Sequence, residues 1–341
     1  MTSKSTRMWA LLSVPLLILA LPLITGRAAV LDFAGYVLVY GLLAMSLNLL
    51  IGSTGLVSFG HAMFFALGAY GFSICVSKGW GVPMALLVAV AAAMVASVIV
   101  GAFCVRLQHT YFSFITLAFA MVFANTVDVA ASISGGDSGL TINASRLTIG
   151  GVNIAAGATR YWFIAVLFSV SSLLLLVVVK SSFGTTLRLV RDNAERAACL
   201  GVNVYLTRLL AFTLAGTFAG VSGALATFLV AGSYPSMAAW TTSGDAIFVI
   251  LLGGVNLFWG PLLGSVILRG LIDFTTVATG HTGLVLGILL LAIVLGLRQS
   301  PMDYLLGRLR LRKHSPAPTG PQPIPPPPAG DTALASKAHH A

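Results

Sequence analysis

The chain alternates long apolar runs with short polar breaks, and the period is that of a membrane rather than of a globular core. A bilayer needs about 20 mostly apolar residues per helix. That template finds ten segments, at roughly 8–25, 31–51, 59–77, 82–105, 110–128, 160–180, 209–231, 243–258, 261–278 and 283–297. The pattern predicts an all-α fold, a polytopic transmembrane helical bundle of about ten spans. Segments 59–77 and 243–258 are the weakest, each short, glycine-bearing and opened by turn chemistry (Ser53-Thr54-Gly55, Ser243-Gly244). Both are expected to be re-entrant or broken helices packed inside the bundle, where irregular backbone is shielded from lipid. Lys4 and Arg7 ahead of the first run, with Gly26-Arg27-Ala28 after it, resemble a secretory signal. The length of that run favours a retained first helix.

Composition agrees: 57% of the residues are hydrophobic, only 8% are charged, and the mean hydropathy is +0.97. So few charges cannot cover a water-facing surface. The net charge of +10 marks orientation, not nucleic acid, because the basic residues sit between apolar runs and form no basic face interleaved with aromatics. With the amino terminus inside, every Lys and Arg falls on the cytoplasmic side except Arg27, Lys78, Arg146 and Arg160, and Arg269, which lies within a span. Residues 1–300 then form the membrane domain, with 181–208 as its longest cytoplasmic loop. Residues 301–341 form a basic and then proline-rich tail, expected to be disordered in the cytoplasm. Cys75, Cys104 and Cys199 fit no metal or disulfide spacing.

Within the loop, Thr186 to Gly201 reads TLRLVRDNAERAACLG. Leu187, Val190, Ala194, Ala197 and Ala198 make one stripe at helical spacing, and Arg188, Asp192, Glu195 and Arg196 lie opposite. The expectation is a single amphipathic helix with an Asp192–Arg196 pair at i, i+4, stopped by Gly201. It would lie on the membrane, dock to a protein, or simply be solvated. In the span at 209–231, Ala211, Ala215, Ala219 and Gly223 form one ridge of small residues and Gly216, Gly220 and Ala224 a second. G-x-x-x-G recurs at Gly260/Gly264 and Gly283/Gly287. These ridges speak to close helix packing.

Ionisable groups inside spans are His61, Asp245, Arg269 and Asp273. Each is costly there and so a candidate for pore or packing. Arg269 and Asp273 are spaced to neutralise each other, Asp245 to cap its weak helix, and His61 to pack through hydrogen bonds or touch a solute. None of the five lysines follows a glycine, so there is no Walker A loop, and neither G-x-S-x-G nor H-E-x-x-H occurs. No enzymatic role and no cofactor is expected. The spans carry no acidic relay for a proton-coupled pump.

Four stretches resemble a known family, the permeases of branched-chain (hydrophobic) amino acid ABC importers, and in particular the larger of the two homologous permeases. They are Asn48–Tyr70 (NLLIGSTGLVSFGHAMFFALGAY), Tyr111–Ala120 (YFSFITLAFA) followed by Gly135–Leu140 (GGDSGL), Leu187–Asn203, and Gly253–Leu268 (GGVNLFWGPLLGSVIL). Asn256-Leu257-Phe258 departs from the family's usual Gly-Thr-Leu, and Glu195 stands one place later than its usual acidic residue. The resemblance implies a bacterial inner-membrane subunit with both termini cytoplasmic. Its partners would be a second homologous permease, two cytoplasmic ATPases and a periplasmic binding protein, and its cargo an amino acid, with relatives that carry urea, amides or aromatic acids. It also implies that Arg191, Asp192, Glu195 and Gly201 belong to the ATPase-coupling loop and that Asn48 lies in a family segment. The competing reading is an ion-coupled secondary transporter or channel for a small polar solute, which needs an ion site at broken helices near the midplane.

Overall fold

The computed structural model describes residues 28–279 apart from 108, 150, 156 and 256, together with 283, 287, 288 and 291. The segments expected at 8–25 and 301–341, and most of 283–297, lie outside the described residues. Eleven helices are described: α1 (Ala28–Thr54), α2 (His61–Ser77), α3 (Val82–Cys104), α4 (His109–Val129), α5 (Ala131–Ser134), α6 (Gly157–Lys180), α7 (Ser182–Asp192), α8 (Ala194–Cys199), α9 (Val204–Val230), α10 (Trp240–Gly253) and α11 (Gly260–Thr279). The strands are two residues each: β1 (Leu140–Thr141), β2 (Thr148–Ile149), β3 (Val152–Asn153) and β4 (Gly232–Ser233).

Five helices are long and apolar enough to cross a membrane: α1, α3, α4, α6 and α9. Their place in the bundle follows from how much of each is covered. Protein buries 83% of the most apolar stretch of α1 and 61% of that of α9, against 28%, 22% and 33% for α3, α4 and α6. Being apolar all round, the outer three meet lipid as readily as protein. α1 therefore forms the axis, packed by α6, α9, α10 and α11, while α2 and α3 close on α9.

Small residues set the closest approaches. A Cβ on Gly223 of α9 would strike the Phe65 carbonyl of α2, and one on Gly68 of α2 would strike the Gly220 carbonyl of α9. Gly216 and Gly220 face Ser97 and Ala93 of α3. The two small-residue ridges of α9 thus seat two different neighbours. Gly260 and Gly264 bring α11 against Gly253 and Val249 of α10 in the same way, whereas a Cβ on Gly283 or Gly287 meets nothing among the described residues. Hydroxyls bridge backbones across the seams: Ser222 Oγ donates to the Val39 carbonyl (2.7 Å) and Ser265 Oγ to the Val37 carbonyl (3.0 Å). In hydrocarbon, such packing and hydrogen bonds replace the missing hydrophobic drive between helices.

One end of the bundle carries the 131–156 loop. There β1 pairs with β4 and β2 with β3, Arg146 donates to the carbonyls of Val76 and Ser77 at the end of α2, and Arg160 at the start of α6 pairs with Asp32 at the start of α1. The opposite end carries α7 and α8. The single helix expected over 186–201 is instead two. Asn193 is extended (φ −161°, ψ 106°), and its side chain accepts from the Arg196 N–H to cap α8 (2.8 Å). The break removes the i, i+4 register, so Asp192 pairs with Arg191 at 3.2 Å and not with Arg196.

Candidate functional site

The two weak segments are short unbroken helices of 17 and 14 residues, and their starts meet inside the bundle. After Thr54 the chain leaves α1 as irregular backbone and α2 begins only at His61, level with Thr116 in the second turn of α4. Side chains occupy the places water would take. Thr116 Oγ1 accepts from the Phe59 N–H (3.3 Å), Ser113 Oγ donates to the Val57 carbonyl (2.7 Å), and Ser58 Oγ accepts from the Gly60 N–H (3.2 Å). The Ala62 N–H, one of the free donors of the first turn of α2, is accepted by Ser243 Oγ of α10 (2.8 Å). Ser58, Thr116 and Ser243 are all buried. Irregular backbone at membrane depth persists only when satisfied in this way. Beside it lies a cavity of about 560 Å³, lined by Gly55, Val57, Phe59, Thr110, Ser113, Phe114, Leu117 and Trp240.

His61 is wholly buried with its ring edge-on to Phe64 (6.0 Å), and neither ring nitrogen has a hydrogen-bond partner among the described residues. The hydrogen-bonded packing role expected of it is therefore not what the structure shows. Asp245 is no cap either. α10 starts at Trp240 with Ala239 in the capping position and no side-chain cap, which places Asp245 within the helix.

Asp245 instead faces a second, smaller cavity of about 110 Å³ shared with Tyr36, Tyr40, Val249, Ser265, Leu268, Arg269 and Ile272. Arg269 forms the expected ion pair with Asp273 (3.1 Å) and lies over the Tyr36 ring (4.1 Å to its centroid). Tyr36 stacks on Tyr40 at 6.2 Å. Asp273 reaches this group only through Arg269. Neither tyrosine stands out in the sequence, although a pair of hydroxyl-bearing rings four apart in an otherwise apolar run is the available signal.

At the α7–α8 end, α7 rests on α1, α6 and α9. Gly184, Leu187, Val190 and Ala197 are buried, while Asp192, Glu195, Arg196 and Leu200 are exposed. The predicted stripe is thus the packed face, except that Ala194 is half-buried and Ala198 exposed. Arg191 is exposed as well but is tied back to the bundle. Its Nη1 donates to the Gly52 carbonyl near the end of α1 (2.5 Å). It also helps line a cavity of about 230 Å³ with Asn48, Arg188, Val255 and Phe258. Asn48 Nδ2 donates to the Val255 carbonyl (3.3 Å), and its buried Oδ1 has no partner among the described residues. Gly201 is left-handed (φ +83°), the Val202 N–H bonds the Ala197 carbonyl (3.1 Å) and the Gly201 N–H the Ala198 carbonyl (2.9 Å). This is the Schellman arrangement that ends a helix.

A two-faced surface element packed on three spans, together with two short helices that begin inside the bundle, suits a transport permease, and comparison with known proteins agrees. The family described as "Branched-chain amino acid transport system / permease component" matches residues 29–294. The chain belongs to this family. It is 25% identical over 290 residues to the high-affinity branched-chain amino acid transport system permease protein LivM of Escherichia coli, covering 77% of this chain and 68% of that protein. Against LivM of Salmonella typhimurium it is 24% identical over 287 residues, with 76% and 66% covered. A shorter match, 32% identical over 155 residues, is to the galactose/methyl galactoside import permease protein MglC of Salmonella typhimurium, covering 45% of this chain and 44% of that one. No solved structure matches. The chain thus spans about two thirds of the length of its LivM relatives.

Proposed function

We propose that this permease is the membrane-spanning subunit of an ATP-driven importer that brings branched-chain or related amino acids into the cytoplasm by alternating access. The α7–α8 end is then cytoplasmic, as are both termini, and the 131–156 loop faces the periplasm of a bacterial inner membrane. Two ATPases, a second homologous permease and a periplasmic binding protein complete the assembly. The chain itself contributes no nucleotide site. The amino acid cargo is favoured because the relatives aligned over most of this chain are branched-chain amino acid permeases, while the sugar permease aligns over less than half.

The observation that carries the reading is the two-faced α7–α8 unit. One face packs on α1, α6 and α9, so a push on the unit reaches three spans at once. The other presents Glu195, Arg196 and Leu200, the last 72% exposed, a mixed charged and apolar tip suited to a protein groove. Closure of the ATPase pair would bias the bundle between two arrangements by acting on this tip. Glu195→Lys reverses an exposed charge there while leaving every buried contact in place. The expected result is normal membrane insertion with less ATPase retained on the purified permease and correspondingly less transport. Full retention and full transport would remove the docking assignment.

The two short helices favour one further reading, an ion-coupled carrier with its site where α2 and α10 begin. ATP dependence of uptake separates the two.

A further inference from the structure

The chamber between α1, α10 and α11 has a charge arrangement that helix packing alone leaves unexplained. Tyr36 and Tyr40 stand near the middle of α1, and Arg269 near the middle of α11. The site is therefore at membrane depth, where each ionisable group is costly unless paired or wetted. Arg269 has its pair, Asp273. Asp245 has no cationic partner and no hydrogen bond among the described residues, yet it lines the same cavity. The Arg269 Nε is buried with no acceptor among the described residues, while the side chain as a whole is 33% exposed. One wall is thus an unpaired carboxylate, another the partly exposed Arg269 guanidinium, and between them stand two stacked phenol rings and the apolar side chains of Val249, Leu268 and Ile272.

Resting on the importer reading above, we propose that this chamber is a transit site for the zwitterionic head of the amino acid cargo. The substrate ammonium meets Asp245 and the Tyr40 ring, and its carboxylate faces the Arg269 guanidinium. Its side chain runs along Val249, Leu268 and Ile272. Tyr36 holds Arg269 in place by stacking, a contact that costs the guanidinium none of its hydrogen-bonding edge. At about 110 Å³ the chamber is well below the ~300 Å³ at which pockets begin to enclose whole ligands. It therefore grips the head group weakly and briefly, as a station on a path requires, and leaves selection of the side chain to other parts of the assembly. A neutral sugar or amide can donate hydrogen bonds to Asp245 but brings no countercharge, so the chamber discriminates by the ammonium group.

The test uses the full-length chain, purified in lipid discs, with Cys75, Cys104 and Cys199 replaced and Ile272→Cys placed in the chamber wall. A small water-soluble thiol reagent should label it. L-Leucine and leucinamide, which keep the ammonium, should slow labelling, and 4-methylpentanoate, which lacks it, should not. Asp245→Asn should abolish the protection, and Asp245→Glu should restore part of it. In the complete importer Asp245→Asn should lower uptake about tenfold per assembled complex, the scale of one lost charge-assisted hydrogen bond. An unlabelled cysteine, protection indifferent to Asp245, or protection by sodium ion in place of leucine would overturn the proposal. Because labelling needs no ATPase, these outcomes stand apart from failure of the importer reading, which would show as uptake that ignores ATP.

Discussion

Two glycines in this chain are needed for opposite reasons, and substitutions separate them. Gly223 sits in an ordinary helix, but a Cβ there would collide with the Phe65 backbone carbonyl, which cannot rotate away. Gly201 has open space around it, and only its φ of +83° excludes a side chain. Gly223→Val should force α9 off α2 and cost at least the ~1–3 kcal/mol typical of overpacking. It should be visible as a lower Tm of the detergent-solubilised chain. Gly201→Val should cost about 1–3 kcal/mol of local strain, confined to the α8 end. Its Tm should stay near that of the parent chain while proteolysis between α8 and α9 speeds up. Equal falls in Tm for both variants would contradict this division.

At the scale of elements, the eight apolar runs between residues 31 and 278 each coincide with a helix, because a span is defined by composition over about 20 residues and not by any one neighbour. The start of the first weak segment is legible too, since Gly55 (φ +73°) ends α1 ahead of it, whereas Ser243 and Gly244 lie inside α10 and open no turn. The break at Asn193 was not read, although Asn193 is a good capping residue with Glu195 following it; the apolar stripe continues through it and suggests one helix. The chamber was hidden for another reason. α1 is apolar around its whole circumference, so its pattern does not say which face α10 and α11 will cover, and Tyr36 meets Arg269 only through pairing of distant segments. The same limit applies to Arg191, which sequence placed with the docking residues and the structure ties to Gly52. Arg191→Ala should leave ATPase bound but loosen α7 from α1. The measurement is ATP turnover beside uptake, with turnover maintained and uptake reduced severalfold. Loss of bound ATPase in this variant, matching that of Glu195→Lys, would put Arg191 back on the docking face.

For the whole molecule, the parts form one mechanical proposal. α1 is the axis, gripped at one end by Arg191 of α7, lined midway by the Tyr36–Asp245–Arg269 chamber, and flanked by α10, one of the two helices that begin inside the bundle. A push on the α8 tip travels through α7 to the end of α1 and to the α9 face that packs α2. An ion-driven carrier has no use for that tip. The most direct measurement is therefore uptake of labelled leucine into liposomes holding this chain with its second permease and ATPases, the binding protein being supplied outside and ATP trapped inside. The account predicts uptake that requires internal ATP and the binding protein, persists when sodium and proton gradients are collapsed, and is absent when this chain is reconstituted alone. Uptake by the chain alone, driven by an ion gradient and indifferent to ATP, would contradict it.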